Sequence, residues 1–252
     1  MQKRTTKRTR SAHYDKTEIS PNYLNLPAAK LPTIAPRIDF RSSMHWRIFR
    51  IVAEFIDGFQ YIADFKKTVS VFGSTRIPET NHWYKEARRL GKMLSKDGFT
   101  IVTGGGPGIM EAANRGAHDA KGASVGINIQ LPREQRTNPY VNTSIGFHYF
   151  FTRKLMLTYS AEAYVYFPGG YGTLDEFFEI ITLIQTKKIA THIPIVLVGK
   201  DYWKPFEKWM TSVMYERYNG VDKADLKLFE IVDSAEEAFR IIKRRAKPRH
   251  DF

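Results

Sequence analysis

Val165-Tyr166-Phe167-Pro168-Gly169-Gly170-Tyr171-Gly172-Thr173-Leu174-Asp175-Glu176 reads as strand, glycine turn and helix. Ala161 to Phe167 is apolar and rich in β-formers, the pattern of a buried strand. Pro168 has no N–H to continue a ladder and ends it. Gly169, Gly170 and Gly172 permit a tight turn and a close backbone approach to a ligand. Thr173 stands where a helix N-cap belongs, with Glu176 three residues on as its capping-box partner. Free N–H groups and the positive end of a helix dipole would then share one spot, which binds a phosphate without a lysine. Such a turn is also common as plain structure, so its surroundings decide.

The same order recurs on both sides of this run. Thr68 to Phe72 reads as a strand ending in Gly73-Ser74-Thr75-Arg76, with a helix over Trp83–Leu94. Phe99 to Val102 ends in Gly104-Gly105-Gly106-Pro107-Gly108, and a helix runs on to about Ala120. Strands are expected at Ser124–Ile127 and near Val141–Phe147, with a looser stretch over Asn128–Asn138 between them. A helix over Phe150–Ser160 then leads into the central strand. Beyond it come a helix over Thr173–Gln185, a strand at Ile193–Val198, a helix over Tyr202–Tyr218 and a last strand at Leu228–Val232. Ser234-Ala235-Glu236-Glu237 opens a final helix with a capping box. Strands alternating with helices predict an α/β fold, a doubly wound Rossmann-like parallel sheet of six to seven strands over residues 66–246. Ligands in such sheets bind beyond the carboxyl ends of the strands, where all three turns would lie.

The ends differ in character. Residues 1–50 hold 11 Lys and Arg against 3 Asp and Glu, so +8 of the net +13 lies there. Residues 1–40 are polar, basic and proline-dotted, and a largely disordered tail is expected. Arg41 to Phe65 reads as an N-terminal helix, with Ile48, Phe49, Val52, Phe55, Ile56, Phe59, Ile62 and Ala63 at three- and four-residue steps. Its broad aromatic face suits packing on the domain or on a second subunit better than a cofactor. A second basic run, Arg240 to Arg249, closes the chain. Both tails read as solvated, with weak nucleic-acid contact as the functional alternative. No cysteine is present, which excludes thiol chemistry. No apolar run spans a membrane and no signal-peptide core opens the chain, so a cytoplasmic protein is expected.

The chemistry narrows by elimination. The glycines of Gly104–Gly108 are not G-x-G-x-x-G on a first strand, and no acidic residue closes the next strand, which argues against NAD. No G-K-[ST] follows any glycine run, no H-E-x-x-H occurs, and the seven histidines are scattered, so neither cofactor nor metal is expected. Arg153 and Lys154 precede the central turn, and Glu176, Glu179, Thr182 and Gln185 follow it at three-residue steps on one drifting face. Singly these read as surface charges and a cap. Together with two phosphate-type turns they fit cleavage of a nucleotide's N-glycosidic bond. A carboxylate can stabilise the oxocarbenium-like sugar or activate water, an arginine can position the ribose, and the phosphate supplies remote binding energy. A non-catalytic nucleotide-binding or carrier protein on the same fold is the alternative.

Pro168-Gly169-Gly170-Tyr171-Gly172-Thr173-Leu174-Asp175-Glu176 matches the P-G-G-x-G-T-x-x-E signature, and Arg153-Lys154 the R-K pair, of the Lonely Guy (LOG) family. Gly104 to Asn114 and Phe147-His148-Tyr149-Phe150-Phe151 resemble its longer-chain branch. Those are cytokinin riboside 5′-monophosphate phosphoribohydrolases, often mislabelled lysine decarboxylase. The resemblance covers residues 66–235. It implies that Arg153 and Glu176 are catalytic and that Gly170, Tyr171, Gly172 and Thr173 hold the phosphate of a nucleoside 5′-monophosphate, with Gly169 also expected among the substrate-binding residues. Lys154, Thr182, Gly105, Gly106 and Ser74 would also contact substrate, with no metal. It further implies a homodimer or higher homo-oligomer with sites near the subunit interface. Many members cleave AMP or other purine monophosphates.

Overall fold

The computed structural model describes residues 43–129 and 137–247. The expected N-terminal tail, the centre of the Asn128–Asn138 stretch and the last residues of the basic C-terminal run lie outside them. The chain divides into two compact units, Met1–Met44 and His45–Phe252. The second unit carries the sheet and the helices around it.

Seven strands form one sheet: β1 (Thr68–Phe72), β2 (Thr100–Thr103), β3 (Ser124–Ile129), β4 (Thr143–Phe147), β5 (Ala163–Tyr166), β6 (Ile195–Val198) and β7 (Glu230–Val232). Their order is β4-β3-β2-β1-β5-β6-β7, and every pair is parallel. The register sets Val69 of β1 beside Ile101 on one side and Ala163 on the other. β1, β2, β5 and β6 are buried along their whole length, as strands covered on both faces must be; β5 and β6 read accordingly as unbroken apolar runs, while β1 and β2 also bury Thr68, Ser70, Thr100 and Thr103. β4 pairs only with β3 and its burial alternates, as at a sheet edge.

Among the described residues, seven α-helices cover the sheet: α1 (Met44–Ala63), α2 (His82–Lys96), α3 (Ile109–Asp119), α4 (Phe150–Tyr159), α5 (Tyr171–Gln185), α6 (Lys200–Trp209) and α7 (Ala235–Arg245). The strand period of two divides the core. Val69, Val71, Ala163 and Val165 point to the layer of α2, α3 and α7. Phe72, Tyr164 and Tyr166 point to the layer of α1, α4, α5 and α6. Asn81 caps α2 by accepting from Trp83 N at 2.8 Å. Ser234 caps α7 as its sequence predicts, accepting from Glu237 N at 3.3 Å, while the Glu237 carboxylate accepts from Asp233 N instead of Ser234 N.

One helix departs from expectation. The predicted helix Tyr202–Tyr218 starts earlier and changes pitch: α6 gives way to a π-helical stretch over Met210–Arg217, where Tyr218 N bonds Val213 O at 3.0 Å across five residues. The apolar face of α1 divides its role. Phe55, Phe59 and Ile62 pack into the core, whereas Ile48, Phe49, Val52 and Ile56 stay exposed.

Candidate functional site

The chain adds β2, β3 and β4 on one side of β1, then crosses back to place β5 on the other. The loops leaving β1 and β5 therefore diverge, and the crevice between them is the switch point of the sheet. A cavity of about 910 Å³ opens there. That size lies within the roughly 300–1,000 Å³ of small-molecule pockets. Gly73 to Ile77 after β1, Gly104 after β2, Phe150, Arg153 and Leu157 of α4, and Pro168 to Leu174 with Glu176 after β5 line it.

The turn after β5 forms its floor. Ser74 N donates to Pro168 O at 3.0 Å, tying the β1 loop to the β5 loop, and the Tyr202 hydroxyl donates to Gly169 O at 2.8 Å. The expected cap at Thr173 is corrected. α5 starts at Tyr171, its N-cap is Gly170, and no side chain caps it. Thr173 is already inside the first turn, where its N–H reaches Gly170 O at 3.0 Å. The T-x-x-E pattern resembles a capping box, but the two glycines before it let the helix begin earlier. The result is a helix N-terminus open to the cavity, an arrangement suited to an anion.

The three glycines of this turn differ. A Cβ on Gly169 would run into the Thr173 hydroxyl, so packing requires glycine there. A Cβ on Gly170 or Gly172 would meet nothing within 4 Å, and Gly170 has an ordinary φ of −105°. The fold gives no reason for glycine at these two positions. The open space beside them leaves room for close approach to the backbone.

Arg153 and Glu176 face this cavity from α4 and α5. Arg153 Nε donates to Ile127 O at 2.9 Å, and its guanidinium lies against Gly104, where any Cβ would collide with it. Burial pulls the guanidinium below its ordinary pKa and the charge of Glu176 pushes back. Glu176 is only 5% exposed, and its Oε2 is buried with no hydrogen-bond partner. Burial raises its pKa from 4.5 to about 7; Lys154 and Arg153 pull against this, while Glu179 and Asp175 add to it. A buried carboxyl oxygen without a hydrogen bond, together with a shifted pKa and an uncapped helix N-terminus in one cavity, makes this a candidate functional site.

Of the residues singled out in the sequence, Ser74, Arg153, Gly169, Gly170, Tyr171, Gly172, Thr173 and Glu176 line this cavity. Lys154, Thr182, Gly105 and Gly106 do not. Lys154 Nζ instead bridges α4 to α5, at 2.7 Å from Asp175 and 2.8 Å from Glu179. Burial pulls its pKa down, but those two bonds outweigh it and the net shift is upward. Thr182 is exposed, six residues past Glu176 and thus about 240° around the helix. The carbonyls of Gly105 and Gly106 accept from Asn138 N and Nδ2 at 2.8 and 3.1 Å, so they brace the wall behind Gly104. Tyr202, Phe150 and Met110 also line the cavity; Phe150 and Met110 lie within the stretches that resemble the longer-chain branch, and no local motif announces Tyr202. Among the described residues no group of three or more His, Asp or Glu could hold a metal, and no helix is long and apolar enough to cross a membrane.

Comparison with known proteins bears on the family and the fold. The family described as "Possible lysine decarboxylase" matches residues 110–242. A cytokinin riboside 5′-monophosphate phosphoribohydrolase LOG from Oryza sativa is 32% identical over 147 residues, 55% of this chain and 58% of the rice protein. A pyrimidine/purine nucleotide 5′-monophosphate nucleosidase from Escherichia coli is 26% identical over 203 residues, 73% of this chain and 42% of that protein. The matches thus span about half the length of these two relatives. The X-ray structure of TM1055 shares the fold with a TM-score of 0.54 and 27% identity, over 71% of this chain and 99% of that one.

Proposed function

The chain belongs to the possible lysine decarboxylase family, of the Lonely Guy type, and from that premise we propose that it hydrolyses the N-glycosidic bond of a nucleoside 5′-monophosphate. The products are the free base and ribose 5-phosphate, with water supplying the new hydroxyl at the anomeric carbon. One observation carries the reading: the buried Glu176 carboxylate, whose Oε2 has no hydrogen-bond partner, shares a cavity with the uncapped N-terminus of α5. A 5′-phosphate on the N–H groups of Gly170 to Gly172 sets the ribose near Glu176, the Thr173 N–H being held by Gly170 O. Ionised Glu176 then stabilises the positive charge that grows on the sugar, or takes the proton of the attacking water. Arg153 orients the ribose and assists departure of the base. The names of the rice and Escherichia coli relatives, both hydrolases of such nucleotides, support this class. Incubation with AMP, GMP, CMP and isopentenyladenosine monophosphate, with free base assayed, tests it. Release from at least one is expected, and folded protein that releases base from none overturns the reading in favour of a binding or carrier role.

The glycines provide a test with two signs. Gly172→Ala replaces a glycine in the first turn of α5 where a methyl meets open space. The folded protein should be unchanged or gain up to about 0.5–1 kcal/mol. AMP affinity should fall at least about tenfold, since that space is the phosphate's. Thermal unfolding and titration calorimetry read the two quantities separately; unchanged AMP affinity would place the phosphate elsewhere.

The reading includes a homodimer. Ile48, Phe49, Val52 and Ile56 of α1 and Phe151 of α4 are each about half exposed or more, an apolar patch that a second copy would cover. Sedimentation is expected to give twice the chain mass of 29.1 kDa or a multiple of it. Charge substitutions at Phe49 and Ile56 should yield monomer. A wild-type monomer at micromolar concentration would remove this part.

A further inference from the structure

We infer that Glu54, on α1, is a positioning residue that sets Arg153 in the cavity by capping α4 from another helix; this rests on the hydrolytic reading above. α4 has Tyr149 as its N-cap, and that residue's own side chain makes no capping bond. The carboxylate of Glu54 instead holds the backbone that leads into the helix. Its Oε1 accepts from His148 N at 2.7 Å, and its Oε2 accepts from Tyr149 N at 3.2 Å. The Thr152 hydroxyl lies 2.6 Å from the same Oε2 and 2.7 Å from Tyr149 O. One carboxylate thus meets two backbone donors and one side-chain donor at the start of α4, and adds a negative charge at the positive end of the helix dipole.

Arg153 is the residue after Thr152, and its N–H closes the first turn on Tyr149 O at 3.3 Å. Its guanidinium has little latitude: Nε is spent on Ile127 O, and the group is wedged against Gly104. Where α4 begins therefore decides where the guanidinium sits. α1 is close enough to act as a fixed support. Gly58 is buried against Met156 of α4, with room for no Cβ (2.6 Å to Sδ), and the rings of Phe55 and Phe151 lie 6.4 Å apart. The helix that precedes the sheet in sequence is in this way part of the site's frame, although none of its residues lines the cavity.

The experiment is a kinetic comparison of wild type, Glu54→Ala and Glu54→Gln on AMP, with hydrogen exchange measured across residues 148–157. Misplacement of a catalytic group by about 1 Å lowers turnover roughly 10- to 100-fold. Glu54→Ala should lower kcat by that factor. Its KM should stay within about threefold, because the phosphate is held on α5 and not on α4. Glu54→Gln keeps a carbonyl oxygen for one N–H and should recover most of kcat. A folded Glu54→Ala with wild-type kcat, or one in which KM rises while kcat holds, overturns the inference. Should Glu54→Ala fail to fold, Glu54→Gln carries the test: wild-type exchange in α4 together with lost kcat would overturn it. Absence of turnover in the wild type would sink the hydrolytic reading instead. The α4 amides would then decide alone, faster exchange in Glu54→Ala supporting the cap and unchanged exchange refuting it.

Discussion

Glu176→Gln is expected to abolish base release, by about 10³-fold or more, while the protein binds AMP as before and becomes more stable. The activity follows from the role assigned to the ionised carboxylate. The stability follows from its burial. A carboxyl raised from 4.5 to about 7 in the folded protein keeps its proton where the unfolded chain has already released it. Between those values the folded state binds more protons than the unfolded state, so this group's contribution to stability falls as pH rises, and the loss is complete above about pH 7. Glutamine removes that titration. At pH 8 the variant should gain on the order of 2 kcal/mol, and at pH 4 the two proteins should unfold alike. A residue that only capped its helix would behave in the opposite way, losing about 1 kcal/mol on substitution. The same ionisation sets the wild-type pH profile: kcat/KM should rise with pH through about 7. Unfolding curves at the two pH values, together with the rate profile, check all three statements.

Arg153→Ala comes second in expected effect. It removes the cation that Gly104 makes room for and that Ile127 O orients, and turnover should fall about 10²- to 10³-fold. It should also move the acid limb of the residual activity upward. Glu176 is faced by Arg153 and Lys154 from α4 and by Asp175 and Glu179 from its own helix. With Arg153 gone, one of the two cations that favour its ionised form is lost while both carboxylates remain. A limb that stays in place while turnover collapses would mean that Arg153 acts on the substrate without influencing Glu176. Wild-type turnover would remove Arg153 from the machinery altogether.

The layout of the fold was legible because its central strands are buried on both faces. Thr68–Phe72, Ala163–Tyr166 and Ile195–Val198 are short runs rich in β-formers, each closed by a turn, and the helices between them leave only a parallel sheet. The crevice followed from the topology, since a switch point must open where β1 and β5 send their loops apart. The start of α5 was misread because Thr173 and Glu176 satisfy a capping pattern that the preceding glycines make unnecessary. The choice between Arg153 and Lys154 was beyond periodicity. Neighbours on a helix point about 100° apart, and only the packed α5, with Asp175 and Glu179, shows which cation is already engaged. Tyr202 and Glu54 lie far along the chain from the turns they support, and nothing local distinguishes them from other tyrosines and glutamates.

The central claim is that this cavity holds a nucleotide by its phosphate and cuts it at its sugar. The most direct test is the product balance for AMP and adenosine at pH 8, quantified by chromatography. The account predicts adenine and ribose 5-phosphate in equal amounts from AMP and little or no adenine from adenosine, which lacks the anchoring phosphate. Folded protein that binds AMP and releases no adenine, or that cleaves adenosine as fast as AMP, would contradict it.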